Sequence, residues 1–108
     1  MTRDIVRIAL ACVLACWICV AQADVQLGRA KAKMCAVCHG EFGVSVLPTA
    51  PNLAGQPEIY LTEQLKAYRS GNRSNEIMNI IAKPLTDAEI SDLAGWFASI
   101  AIEVKPSN

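Results

Sequence analysis

Apolar residues recur at helical spacing in several stretches of this chain and run unbroken in one other. Between Val25 and Cys35, Leu27, Ala30 and Met34 fall at i, i+3 and i+7, and Asp24 stands ahead of them as a cap. This predicts a first helix over 25–35 with Leu27, Ala30 and Met34 on its buried face. Gly28 inside it costs about 1 kcal/mol of helix propensity. Close approach of another helix would explain that cost; the plain alternative is a tolerated surface glycine. A second helix is predicted over 57–70, with Pro57 in its first turn, Gly71 just past its end, and a stripe of Leu61, Leu65 and Tyr68. Asn75 to Lys83 reads as a short helix carrying Ile77, Met78, Ile80 and Ile81, stopped by Pro84. Thr86-Asp87-Ala88-Glu89 is a capping box that opens the last helix. Its stripe is Ile90, Leu93, Phe97 and Ile100/Ala101, with Trp96 alongside. Gly40 to Gly55 has no period and carries Gly43, Pro48 and Pro51, so it reads as loop. No stretch alternates as a strand would, and the fold class expected is all-α.

The unbroken run is Ile8 to Val20, 13 apolar residues behind Arg3 and Arg7 and ahead of Ala21-Gln22-Ala23. A basic start, an apolar middle and a small-x-small end make a secretory signal peptide over 1–23, leaving a domain at 24–108. The run is short for a membrane span, which needs about 20 residues. An uncleaved anchor, or a lipid-modified Cys16, are the alternatives. Cys12, Cys16 and Cys19 otherwise read as small hydrophobes.

Composition changes the picture once the leader is set aside. From Asp24 on there are eight Lys and Arg against nine Asp and Glu, a formal charge of −1. No basic patch points to nucleic acid. A domain this small makes a marginal core and ordinarily needs a staple.

The staple is written in Met34-Cys35-Ala36-Val37-Cys38-His39-Gly40. Cys-x-x-Cys-His is the spacing of a c-type haem attachment site. Two thiols one short turn apart can add across the two vinyl groups of one porphyrin. The next residue, His39, then lies beneath the iron as proximal ligand. A zinc site needs four ligands, and Cys35, Cys38 and His39 make three, with no other His in the chain. A redox dithiol normally follows a buried strand, whereas 28–33 looks helical.

The sixth position on such an iron decides its chemistry. Among the Met residues after the leader, Met34 abuts Cys35 on the proximal side, and Met78 lies far enough along the chain to return over the ring. Met78 is therefore the expected distal ligand, its plain alternative being a core filler. A thioether ligand favours ferrous iron and raises the potential, and a six-coordinate iron leaves no open site for substrate. Asp87, Glu89 and Asp92 read as the solvated, dipole-matched start of a helix.

The ordered set Cys-x-x-Cys-His-Gly, Pro51-Asn52-Leu53-Ala54-Gly55-Gln56, Tyr60-Leu61, Gln64-Leu65, Tyr68-Arg69-x-Gly71-x-Arg73, Met78, Leu85-Thr86-Asp87 and Leu93-Ala94-x-Trp96-Phe97 resembles a class I cytochrome c. It is similar to one half of a cytochrome c4. The resemblance implies about four helices wrapped around one covalent haem c, with the first and last helices crossing where Gly28 meets Trp96. It implies that the Pro51 carbonyl accepts a hydrogen bond from His39, that Leu53 packs on the ring, and that Gln56, Tyr68 and Arg73 make polar contacts around the ring and its propionates. Gly95 is unusual inside the last helix and would let a partner or the haem edge approach Trp96.

The function expected is that of a periplasmic electron carrier and not an enzyme. Its partners would be redox proteins: a quinol-side donor and a terminal oxidase or reductase as acceptor. Contact with a membrane would come through those partners or an uncleaved leader. A cytochrome subunit of a larger dehydrogenase or oxidase is the alternative. A ligand-binding or peroxidatic haem protein, with Met78 dissociating, is a third class.

Overall fold

The Asp24 carboxylate accepts hydrogen bonds from the backbone N–H groups of Gln26 and Leu27, both at 3.0 Å, and so starts helix α1, Val25–Lys31. The computed structural model describes residues 22–107. Residues 1–21 of the expected leader, with Cys12, Cys16 and Cys19, lie outside the described residues. None of the described helices is long and apolar enough to cross a membrane.

The first helix is not continuous to Cys35. It tightens into a 3-10 turn at Ala32–Met34 and resumes as α2, Ala36–His39. Its expected buried face is also displaced. Leu27 is 61 % exposed and Met34 41 %, and Ala30 is exposed as well. Gly28 and Ala32 are buried instead, flanked by half-buried Val25 and Cys35. The reason is geometric. Gly28 lets α1 lie directly on the last helix, so the smallest residues, not the largest, face the neighbour.

Helix α3, Glu58–Ser70, begins after Pro57 and ends at Gly71, whose φ of 84° is the left-handed cap expected of it. Leu61 is buried, and Leu65 and Tyr68 are half-buried against the same core. Helix α4, Glu76–Ala82, is capped by the Asn75 side chain and buries only Ala82. Helix α5, Asp87–Ser99, carries the full capping box: Thr86 Oγ1 accepts from the Glu89 N–H at 3.1 Å while Glu89 Oε2 accepts from the Thr86 N–H. Among the described residues there is no strand.

The last helix is the centre of the core. Ile90, Leu93, Ala94, Trp96 and Phe97 are buried, and Ile90 and Leu93 almost completely. Ile90 and Leu93 each contribute roughly 1.5–3 kcal/mol. Ile100 is half-buried and Ala101 exposed, so the stripe ends one residue earlier than its period suggests. The most extensive packing between elements is α1 on α5, followed by α3 on α5. At the first of these a Cβ on Gly28 would overlap the Asp92 carbonyl oxygen and sit 3.0 Å from Trp96 Cβ. The Arg29 guanidinium lies 5.3 Å from the Trp96 ring centroid, and the Phe42 ring packs beside it at 6.3 Å.

The acidic residues of α5 do more than match the helix dipole. Asp92 Oδ1 accepts the Asp24 N–H at 2.7 Å, Glu89 pairs with Lys31 at 3.4 Å, and Asp87 pairs with Arg69 at 2.5 Å. These bonds tie α5 to α1 and α3. Gly95 faces Ala23, whose Cβ would be 2.6 Å from an added one. In the full chain the neighbour it admits is Ala23, the last residue of the expected leader.

Candidate functional site

The break after α1 places the two thiols. Cys35 closes the 3-10 turn and opens α2, with the His39 N–H donating to the Cys35 carbonyl at 2.9 Å. Helical winding from 35 to 38 sets the side chains one turn apart on one side. Both cysteines are free and half-buried. Burial pushes the Cys35 thiol up to about 11, with Lys31 opposing and Cys38 adding to the shift. A dithiol oxidoreductase needs the opposite, a thiolate stabilised near neutrality. Among the described residues no three His, Cys, Asp or Glu side chains converge to hold a metal ion, and a structural zinc would need four.

His39 is the one polar side chain in the buried set of described residues, at 7 % exposure. Its Nδ1–H donates to the Pro51 carbonyl at 2.8 Å. That bond fixes the ring's orientation and tautomer and leaves Nε2 as the nitrogen available to a metal. An acceptor behind an imidazole also raises its basicity as a ligand.

Pro51 is delivered by a loop held by backbone bonds together with the side chains of Ser45 and Asn52. The Gly43 carbonyl accepts from Leu53 N–H at 2.7 Å and Ala54 N–H at 3.1 Å, and the Val46 N–H donates to Cys38 O at 3.2 Å. Asn52 Oδ1 accepts the Ser45 N–H at 2.7 Å. Gly43 is required at the centre. Its φ is 75°, and a Cβ there would be 2.6 Å from Ala54 N and 2.9 Å from Phe97 Cδ1. Gly55 N–H then donates to Phe97 O at 2.9 Å, seating the loop on the last helix.

Cys35, Leu53 and Tyr68 pack on one apolar core with Leu61 and Leu85. Met78 is half-buried in α4, its N–H held by Asn75 Oδ1 at 2.9 Å. Gln56 and Arg73 engage protein groups. Gln56 Nε2 donates to the Asn52 carbonyl at 3.3 Å. Arg73 Nη1 donates to Gln64 Oε1 at 2.6 Å, and its guanidinium stands 4.8 Å from the Tyr68 ring centroid. Sequence reasoning missed Asn75, Asn79, Ser45 and Asn52 as organisers. Asn75 had a signal, since Asn directly before a helix is a capping residue; Asn79, inside α4, had none.

The donor set therefore fits one prosthetic group: two free thiols on one side of a helical turn, a buried imidazole with one nitrogen already oriented, and a thioether elsewhere in the chain. Comparison with known proteins agrees. Residues 25–101 match the family model described as cytochrome c. The chain is 46 % identical over 77 residues to a cytochrome c4 of Thiocapsa roseopersicina, a match covering 70 % of this chain and 40 % of that protein. It is 38 % identical over 79 residues to cytochrome c-554(548) of Halomonas halodenitrificans, covering 70 % and 95 %. It is 39 % identical over 79 residues to a protein named thiosulfate dehydrogenase electron acceptor from Thiomonas intermedia, covering 71 % and 36 %. The reduced cytochrome c4 structure from Pseudomonas stutzeri superposes with a TM-score of 0.70 at 34 % identity, covering 73 % of this chain and 46 % of that one.

The chain belongs to the cytochrome c family, the haem-bearing proteins of electron transport, and its fold is that of class I. Within that family it is similar to a single half of a cytochrome c4, and it spans less than half the length of the c4 relatives it matches.

Proposed function

We propose that this protein is a periplasmic electron carrier that works through one haem c, held by Cys35 and Cys38 and ligated by His39 and Met78. The bound group supplies a one-electron ferric/ferrous couple. The chain's residues do the rest. Cys35 and Cys38 would hold the ring through thioethers, each S–H having added across a vinyl C=C. Pro51 holds the His39 ring by Nδ1, so that Nε2 would be free to ligate the iron. Met78 offers a soft sulfur that favours the ferrous state and raises the potential. Leu53 and Tyr68 supply apolar surface that excludes water from the ring, and Gln56 and Arg73 are the polar groups nearest to propionate chemistry in kind. Export would proceed through residues 1–23.

The observation that carries this reading is the 2.8 Å bond from His39 Nδ1 to Pro51. It prepares a buried imidazole as a ligand directly after two free thiols in the chain. The test is expression in a host able to mature c-type cytochromes. We expect one haem per chain that survives denaturing electrophoresis, a reversible one-electron potentiometric curve, and a reduced spectrum that carbon monoxide leaves unchanged at neutral pH. A colourless exported protein would overturn the cofactor; ready carbon monoxide binding would overturn the Met78 ligation. Cys35→Ala should weaken covalent retention.

A second reading is an electron-accepting subunit of a dehydrogenase. It is favoured by the likeness to a protein that bears the name of a thiosulfate dehydrogenase electron acceptor. Elution of the native protein at fixed stoichiometry with a dehydrogenase would select it over a free carrier.

A further inference from the structure

Helix α4, which carries Met78, is held in an unusual way. The connection before it, residues 70–75, is exposed throughout. The helix buries only Ala82, and Ile77 and Ile80 are 61 % and 73 % exposed. Its principal packing partner is α3. Apolar contact therefore does little to fix where Met78 sits.

Polar contact does. The Asn79 amide spends both hydrogens of Nδ2 on backbone carbonyls: Tyr68 O at 2.8 Å, on the last turn of α3, and Arg73 O at 2.8 Å, in the connection. Its Oδ1 accepts the Asn75 N–H at 2.6 Å. Asn75 in turn caps α4 through Oδ1, accepting from Ile77 N–H at 3.0 Å and Met78 N–H at 2.9 Å. One side chain thus ties together the end of α3, the connection and the start of α4. Only an uncharged primary amide of this length gives two donors and one acceptor in that arrangement. Aspartate has the shape and lacks the donors.

We propose that Asn79 is the positioning residue for the Met78 sulfur, holding it within bonding distance of the haem iron and slowing its exchange with other ligands. The proposal rests on the reading of Met78 as distal ligand. Loss of the Asn79 bonds frees the segment to swing away, so a larger fraction of molecules has an open iron. Apparent affinity for an added ligand rises in proportion to that fraction.

The test uses the mature holoprotein in four forms: wild type, Met78→Ala, Asn79→Ala and Asn79→Asp. Asp87→Asn is added because it breaks the nearby Arg69 pair and leaves α4 untouched. The readouts are the weak far-red absorption of a ferric iron–thioether bond and imidazole affinity for the ferric protein. The expected result is a far-red band in wild type, none in Met78→Ala, and a weakened band in both Asn79 variants with imidazole binding tightened about tenfold. Asp87→Asn should match wild type in both readouts. A wild-type spectrum that lacks the band and is unchanged by Met78→Ala would remove the ligand reading, and the proposal with it. A wild-type band lost in Met78→Ala, with band and imidazole affinity unmoved in whichever Asn79 variant folds, would refute the positioning role and leave the ligand in place. An equal effect from Asp87→Asn would also refute it, because general loosening would then suffice.

Discussion

Gly28→Ala separates two accounts of the first helix by sign. If Gly28 were an open surface position, alanine would stabilise the helix by about 1 kcal/mol. The structure predicts the reverse. A Cβ at 28 would overlap the Asp92 carbonyl oxygen, lie 2.6 Å from its carbon and 3.0 Å from Trp96 Cβ. The obstacle is backbone, which no rotamer change removes, so α1 and α5 must separate by roughly an ångström. A gap of that size forfeits about a quarter to a half of each dispersion contact across it. Overpacking of this kind costs about 1–3 kcal/mol. A backbone obstacle puts the cost in the upper part of that range, about 2–3 kcal/mol, so after the propensity gain the net expectation is a loss of about 1–2 kcal/mol. For a domain this small each kcal/mol shifts the midpoint by about 4–8 °C, so Tm should fall by roughly 10 °C. Thermal unfolding followed by far-ultraviolet circular dichroism, with guanidinium unfolding as a second measure, reads this directly. An unchanged or raised Tm would mean that the two helices do not touch at Gly28, and the account of why α1 turns its small face inward would go with it.

Gly95→Ala should behave differently although its added Cβ also meets a neighbour, at 2.6 Å. The obstacle is Ala23, the last residue of the expected leader, so in the mature protein the helix gain of up to about 1 kcal/mol should appear in the melting curve. Thr86→Ala removes the cap of α5 and should cost about 1 kcal/mol, read as a lower denaturant midpoint at unchanged slope. Asp87 is held below its ordinary value of 3.8 by the hydrogen bond and charge of Arg69. Its contribution is therefore present above that value and lost as pH falls through the lowered one. Asp87→Asn should flatten the acid limb of a stability-against-pH curve below about pH 4 by lowering the neutral plateau toward the acid level.

What the sequence disclosed was set by how local each signal is. The capping box at Thr86, the cap at Asp24 and the stop at Gly71 are each completed within a few residues, and all three are where the pattern puts them. The stripe of α5 was legible because its large residues face a core. The face of α1 was not, because helical periodicity weighs Leu27 and Met34 above Gly28 and Ala32. A helix that approaches another through its glycine inverts that weighting. At the site, Cys35, Cys38 and His39 announce themselves by spacing. Pro51 was reached only by resemblance to a family. Asn79 escaped altogether, because its three partners lie at positions 68, 73 and 75 and are two carbonyls and an N–H of the backbone, which a sequence pattern does not display.

The union of α1 with α5 also imposes an order on assembly. These segments stand at opposite ends of the domain, so the entropy of drawing a long loop shut is spent before their contact gives anything back. A polypeptide delivered amino end first keeps Cys35 and Cys38 in the open until Trp96 and Phe97 have arrived. Only afterwards do they sink into a half-hidden pair with a reluctant thiol. If these thiols take the haem as proposed, the interval between those two moments is when they would be most approachable, and a variant that closes sooner would shorten it.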